Sequence, residues 1–293
     1  MEKNQICFED YLANRYSINT AKIYSFYVSK FIEKHSNASK FEFSEILNYL
    51  YSLKKNNFTK TPMILGSLKC FYTYLLETGQ RTNHPCRMLV TKIKKQSIQI
   101  QDLFTQEELN QVFKNDHLWN KEFQIRNKLI LSIFLFQAAL STEIISLNID
   151  DIDLHAKTIK LKGSKVVAKR KLKLNSTQQK LISEYLVEVR PLLDKYKSKE
   201  LFLTVKGTPF SQDGLSEIIE CFKPFFPDRK FSATTIRQSV ISNLLNIQNL
   251  NIEDVQLFAG HKWPSSTERY KRLNIQDQQI KINKWHPLEQ MGK

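Results

Sequence analysis

Along most of this chain apolar residues return every three or four positions, the interval at which side chains share one face of an α-helix. In "SINTAKIYSFYVSKFIEKH" Ser17 or Asn19 stands where a cap belongs. Ile23, Phe26, Tyr27, Phe31 and Ile32 form the expected apolar face, with Lys22 and Lys30 towards the other side. A second helix is predicted across "FSEILNYLYSLKK". A third, "TPMILGSLKCFYTYLLET", is opened by Thr61-Pro62 and stopped by Gly79. These elements predict a small helical bundle over residues 1–90.

The pattern then changes. "LVTKIKKQSIQIQD" has no helical face and carries Lys92, Lys94 and Lys95 with no acid before Asp102, which predicts an extended basic linker over 91–102. Beyond it, "FTQEELNQVFKN" opens with a Thr-x-Glu-Glu capping arrangement. "IRNKLILSIFLFQAALSTEIISLN" reads as one long buried helix, a turn and a second helix. "TIKLKGSKVVAKRKLKLN" switches to alternation with β-branched residues around a Gly163-centred turn, the signal of a hairpin or small sheet. Helical patterns resume from Ser176. With 7 glycines and 8 prolines in 293 residues there are few breakers, so the expected fold is mainly α with a small β-sheet, in two domains, 1–90 and 103–293.

Composition narrows the partner. Lys and Arg total 44 against 29 Asp and Glu, a formal charge of +15, which favours a polyanion through local potential and counterion release. Residues 1–100 hold 15 basic and 7 acidic residues and are the more basic part by density. Cys7, Cys70, Cys86 and Cys221 show no CxxC spacing, and the preferred reading is free thiols in a reducing cytoplasm. No secretory leader pattern and no stretch of eighteen uninterrupted apolar residues is present, so neither export nor membrane spanning is expected.

Four residues are candidates for phosphodiester chemistry, which without a metal needs a nucleophile, cations around the phosphorane and an acid for the departing oxygen. Arg237 stands in a largely apolar helix, "TTIRQSVISNLL", where it must pair with an acid or face a polyanion. Gly260-His261 follows "VQLFA", so the glycine can end that helix and aim the imidazole from its terminus. Tyr270 comes nine residues later, among Arg269, Lys271 and Arg272. Lys162 lies at the tip of the predicted hairpin. Taken singly, each has a plain structural or surface alternative.

In this order, the set resembles the tyrosine recombinase (phage integrase) family, from about residue 8 to "WHPL" near the end. "GH", Thr267 and Tyr270 resemble the family's terminal motif. "TTIRQS" falls at its His-x-x-Arg, and "KGSK" before "KRKLKL" at its hairpin lysine, which makes Lys162 the match and leaves Lys165 as the alternative. Glu143 and Asp151, in "AALSTEI" and "LNIDDIDL", match supporting positions. The resemblance implies a two-domain DNA clamp: a helical, SAM-like core-binding domain and a mixed α+β catalytic domain. It also implies attack by Tyr270 to give a 3′-phosphotyrosyl link, Arg237 and His261 stabilising the phosphorane, and Lys162 protonating the 5′ oxygen, with no cofactor and no metal. The implied partner is double-stranded DNA, bound as a tetramer that can include other recombinase subunits, with Lys22, Lys30, Lys69, Lys92, Lys94, Lys95 and Lys165 as DNA contacts. The tail bearing Ile275, Ile280, Ile282 and Trp285 would dock on a neighbouring protomer or fold back on its own domain.

Two positions depart from the family pattern. Its first catalytic arginine falls at Leu140, and the His of His-x-x-Arg falls at Thr234, which can donate a hydrogen bond but carries no charge. Arg126 is fourteen residues before Leu140, about 21 Å along a straight helix, and is a poor replacement. Three readings follow: a recombinase with an altered active site, an inert DNA-binding accessory or regulator of the same fold, and an unrelated helical nucleic-acid-binding module, which explains the charge but not the ordered motifs.

Overall fold

A computed structural model of the chain describes residues 7–55, 60–91, 102–115, 118–164 and 166–271. It divides into two compact units, 1–96 and 97–293. Lys92, Lys94, Lys95, Lys165 and the tail from residue 272 lie outside the described residues.

The N-terminal unit is built from helices α1 (Phe8–Arg15), α2 (Ile18–Lys34), α3 (Phe43–Lys55) and α4 (Thr61–Glu77). Ser17 caps α2 by accepting from the Thr20 N–H. The inward stripe of α2 is rotated from the one its apolar residues suggest. Val28 and Phe31 are buried and Tyr24 and Tyr27 pack beside them, while Ile23, Phe26 and Ile32 stay largely exposed. The reason is that α2 lies against α4, and only the stripe through residues 24, 27/28 and 31 faces that helix. Lys60, not Thr61, occupies the cap of α4, which leaves Pro62 within the first turn, and Gly79 ends the helix at φ 75°. The Tyr72 hydroxyl, deep in this core, donates to the Ala38 carbonyl at 2.6 Å.

The C-terminal unit is organised around α6 (Lys121–Gln137), buried on all sides along Leu129–Leu135, as its continuous apolar run requires. Before it comes α5 (Gln106–Lys114), with Thr105 and Glu108 closing a capping box. After it come α7 (Ser141–Ile145), then β1 (Ile152–Asp153), β2 (Thr158–Leu161) and β3 (Arg170–Lys173) in one antiparallel sheet of order β1-β2-β3. The sheet is followed by α8 (Ser176–Glu184), a π-turn at Tyr185–Val189, α9 (Arg190–Leu193), α10 (Gln212–Glu220), α11 (Ala233–Asn246), α12 (Ile252–Ala259) and α13 (Ser265–Glu268). The β2–β3 connection is not the tight Gly163 turn the alternation suggests. Its described residues Val167 and Ala168 dock on the end of α12, where Val167 bridges His261 and the Ala168 N–H donates to the Gly260 carbonyl at 2.8 Å. The architecture is mostly helical with one small sheet, and none of the described helices is long and apolar enough to cross a membrane.

Candidate active site

Arg237 on α11 is the centre of the site. Its chain neighbours Ile236, Ser239 and Val240 are buried with it, so the guanidinium projects into the unit and only 6 % of the residue is exposed. Nη1 donates to the Ala138 carbonyl at the end of α6, and Nη2 to the Ala259 carbonyl at the end of α12, at 2.6 Å. Two helix C-termini, each with carbonyls free of intrahelical partners, thus share one cation. Burial, and then the nearby Arg170 charge, lower the Arg237 pKa to about 10, which leaves it charged at neutral pH.

Gly260 ends α12 at φ 71° and turns the chain so that His261 follows at once. The imidazole Nδ1 lies 2.8 Å from Thr267 Oγ1, and Thr267 is fully buried on α13. Burial, joined by the charges of Arg237, Arg170 and Arg269, depresses the His261 pKa to about 4. The ring is therefore neutral at physiological pH, so what it can offer an anion is a neutral hydrogen bond.

Tyr270 follows α13, its ring parallel to that of His261 at 11° with centroids 6.2 Å apart. Its backbone carbonyl accepts from Asn246 Nδ2 of α11 at 2.8 Å, which fixes the segment to the helix bearing Arg237. The residue is 7 % exposed. Burial raises the phenol pKa, against the opposing pull of Arg237, Arg269 and a hydrogen bond with Gln238, so the phenol is neutral until a base takes its proton.

The remaining sequence candidates are distributed unevenly. Leu140 is half-buried at the start of α7, and Thr234 is exposed on the first turn of α11. Leu140 contributes through its backbone: the N–H donates to Glu143 Oε2 at 2.8 Å and the carbonyl accepts from the Glu143 and Ile144 N–H groups, while the side chain has no acceptor to complete a capping box. Glu143 is 3 % exposed and receives both Nη groups of Arg170, at 2.5 and 3.0 Å. Asp151 caps the turn before β1 by accepting from Asn148 N, and pairs with Lys162 Nζ at 3.1 Å. Lys162 also donates to the Ser146 carbonyl at 2.6 Å, so it is tethered to the turn after α7 rather than to His261 or Tyr270. In the N-terminal unit Lys22 and Lys30 are exposed, whereas Lys69 is half-buried and donates to the Arg87 carbonyl at 3.0 Å. Arg126 is spent elsewhere on an unbroken α6, donating to Leu203 O and Asn127 Oδ1 between the rings of Phe123 and Phe210.

The residue that sequence reasoning passed over is Arg170. Strand alternation carries the signal: it shares parity with Leu172 and pairs with Leu161 in the register, so it points inward where Lys171 and Lys173 point out. Three charged side chains, Arg170, Arg237 and Glu143, are thus buried together with one net positive charge, and a neutral imidazole and a neutral phenol stand beside them. Such a cluster suits an anion that is partly desolvated on arrival. Among the described residues no group of His, Cys, Asp and Glu is arranged to hold a metal ion.

The chain and its fold are similar to those of known proteins. Residues 102–277 match the model of the phage integrase family. The chain is 25% identical over 272 residues to tyrosine recombinase XerC of Staphylococcus epidermidis, covering 90% of this chain and 89% of the relative. It is 24% identical over 228 residues to tyrosine recombinase XerD of Listeria monocytogenes, covering 76% and 74%. Its fold is similar to that of the XerH site-specific recombinase bound to its difH substrate before cleavage, with a TM-score of 0.73 at 21% identity over 94% of this chain and 85% of that one. A lambda integrase dimer bound to a COC′ core site has a TM-score of 0.65 at 13% identity, over 90% and 75%.

Proposed function

Because this chain belongs to the phage integrase family of tyrosine recombinases, we propose that it is a site-specific DNA recombinase with an altered active site, in which Tyr270 is the nucleophile. The phenol gives its proton to solvent as its oxygen attacks the scissile phosphorus, a 3′-phosphotyrosyl bond forms, the bond to the 5′ oxygen breaks, and that oxygen leaves with a proton. Arg237 stabilises the charge on the phosphorane oxygens, and His261 adds a neutral hydrogen bond from the nitrogen not engaged by Thr267. Lys162 is the acid for the 5′ oxygen. To act, it exchanges Asp151 and the Ser146 carbonyl for the DNA, and its half-exposed side chain on a loop permits that exchange. The single observation that carries the reading is the meeting of Arg237, His261 and Tyr270, from three separate segments, around one buried and net positive pocket.

In the same reading residues 1–90 are a core-binding domain and 103–293 the catalytic domain. They are joined by the basic segment 91–102, and the first meets the duplex through Lys22 and Lys30. The formal charge of +15 supports a double-stranded DNA partner. Assembly as a tetramer on DNA, alone or with other recombinase subunits, follows by family, and free thiols at all four cysteines suit a cytoplasmic setting.

Leu140 favours one competing reading, a DNA-binding accessory of the same fold that is inert by itself. The two are separated with DNA selected on the immobilised protein from fragmented genomic DNA, trimmed to its footprint and nicked across its centre. The recombinase reading expects a covalent adduct that resists denaturation and is absent in Tyr270→Phe. Tight binding without an adduct, together with an adduct in Leu140→Arg, would establish the inert accessory.

A further inference from the structure

The Leu140 position removes a guanidinium from the start of α7, yet the pocket beneath it still contains two. We propose that Arg170 supplies from β3 the second phosphate-binding guanidinium that Leu140 lacks, contacting a non-bridging oxygen of the scissile phosphate opposite Arg237; the inference rests on the recombinase reading above. Four observations carry it. Arg170 is held by Glu143, the carboxylate one helical turn beyond Leu140, through both Nη groups. Its Nη1 lies against the Gly260–His261 segment, since a Cβ placed on Gly260 would stand 2.9 Å from that nitrogen. Its charge is the largest charge acting on Arg237 and the second largest, after Arg237, on His261, so all three share one pocket. Its Nε is buried with no protein partner, on a side chain 5% exposed.

A guanidinium has five N–H donors, and Glu143 takes one from each Nη. Three remain: the partnerless Nε–H and the second hydrogen on each terminal nitrogen. A purely structural ion pair accounts for the two that face Glu143 but not for bringing Arg170 next to a second buried arginine, where like charges repel across a low-dielectric space. A phosphodiester between them removes the repulsion and carries one negative charge to the pocket's net positive one. The docking of Val167 and Ala168 on the Gly260–His261 segment provides the path, because it fixes β3 at the end of α12 and with it the base of the Arg170 side chain. In this arrangement Glu143 is a positioning residue: it aims Arg170 as it would have neighboured an arginine at position 140.

The test reads binding, so it does not require cleavage. In a Tyr270→Phe background, affinity for the selected duplex is compared with that for duplexes carrying a neutral methylphosphonate at each position across the footprint in turn. The position whose neutralisation weakens binding, but no longer does so in Arg237→Gln, marks the phosphate in the pocket. At that position, neutralisation is expected to cost about tenfold in the parent, the scale of a charged hydrogen bond. The cost is expected to fall below about twofold in the uncharged pair Glu143→Gln/Arg170→Gln, and to return when Leu140→Arg is added. Arg170→Lys, which keeps the charge but loses the fork, provides a second variant with an intermediate cost should the paired variant fold poorly. If neutralisation costs the Gln/Gln pair and Arg170→Lys as much as it costs the parent, Arg170 is only the partner of Glu143 and the inference is overturned. If no phosphate is coupled to Arg237 either, the recombinase reading of the pocket falls with it.

Discussion

Two helices of the C-terminal unit end on left-handed residues beneath the same arginine, and only one of those residues is glycine. The α12 helix turns at Gly260 with φ 71°, and α6 turns at Ala138 with φ 47°. Arg237 collects a carbonyl from each end. At the α12 end the constraint is twofold, because a side chain on Gly260 would be strained by the backbone angle and would also stand 2.9 Å from Ala168 O, Arg170 Nη1 and Val167 Cγ1. At the α6 end only the backbone angle resists, and an alanine is accommodated. The same asymmetry extends to the chemistry. The α12 side keeps His261 and Tyr270, whereas the α6 side keeps its backbone turn and Glu143 but has a leucine at position 140. A backbone turn and the ionisable side chains around it are thus separable: the α12 end carries both, and the α6 end is followed by a leucine.

The sharpest way to break the comparison is to equalise the two turns. Gly260→Ala introduces left-handed strain and three close contacts, and is expected to cost about 3 kcal/mol of stability in urea unfolding of the full chain. A loss below about 1 kcal/mol would show that the loop gives way and that the two ends are alike after all.

Acid should affect the α12 end through its histidine. The His261 pKa is depressed from 6.5 to about 4, so folding favours the neutral ring. That contribution is complete above pH 6.5 and is lost as pH falls from 6.5 through about 4, where the buried ring must accept a proton. Melting temperature followed over that window is expected to fall more steeply in the wild type than in His261→Gln, and parallel curves would contradict it. The smallest effect has the opposite sign: Ala138→Gly relieves a left-handed alanine and is expected to stabilise by at most about 1 kcal/mol, after the glycine's extra unfolded-state entropy is subtracted.

The helices were readable because burial follows periodicity. The capping box of α5, the buried run of α6 and the glycine stop of α12 are local signals that the fold retains. The α2 face was not readable to the same degree. Eight aromatic or branched apolar residues surround much of that helix, and only the position of α4 selects Val28 and Phe31 over Ile23, Phe26 and Ile32. Within the site, Arg237, His261 and Tyr270 stood out by motif order. Arg170 was hidden in "KRKLKL", where four basic residues look alike until strand parity turns one of them inward. Lys162 was visible as a hairpin lysine, but not its attachment to Asp151 and Ser146, which lie on a different segment.

The amino-acid order alone carried the mainly helical class, the family resemblance, the basic surplus that favours a polyanion, and the leucine and threonine at positions 140 and 234. These are properties of local spacing and of composition, fixed before any long-range contact forms. Only the tertiary structure decided which cations share a pocket, that the histidine is neutral there, and that Glu143 has an arginine from β3 as its partner. Those depend on burial and on distances between residues far apart in the chain, and a charge acquires its strength and its partner only when folding removes water around it.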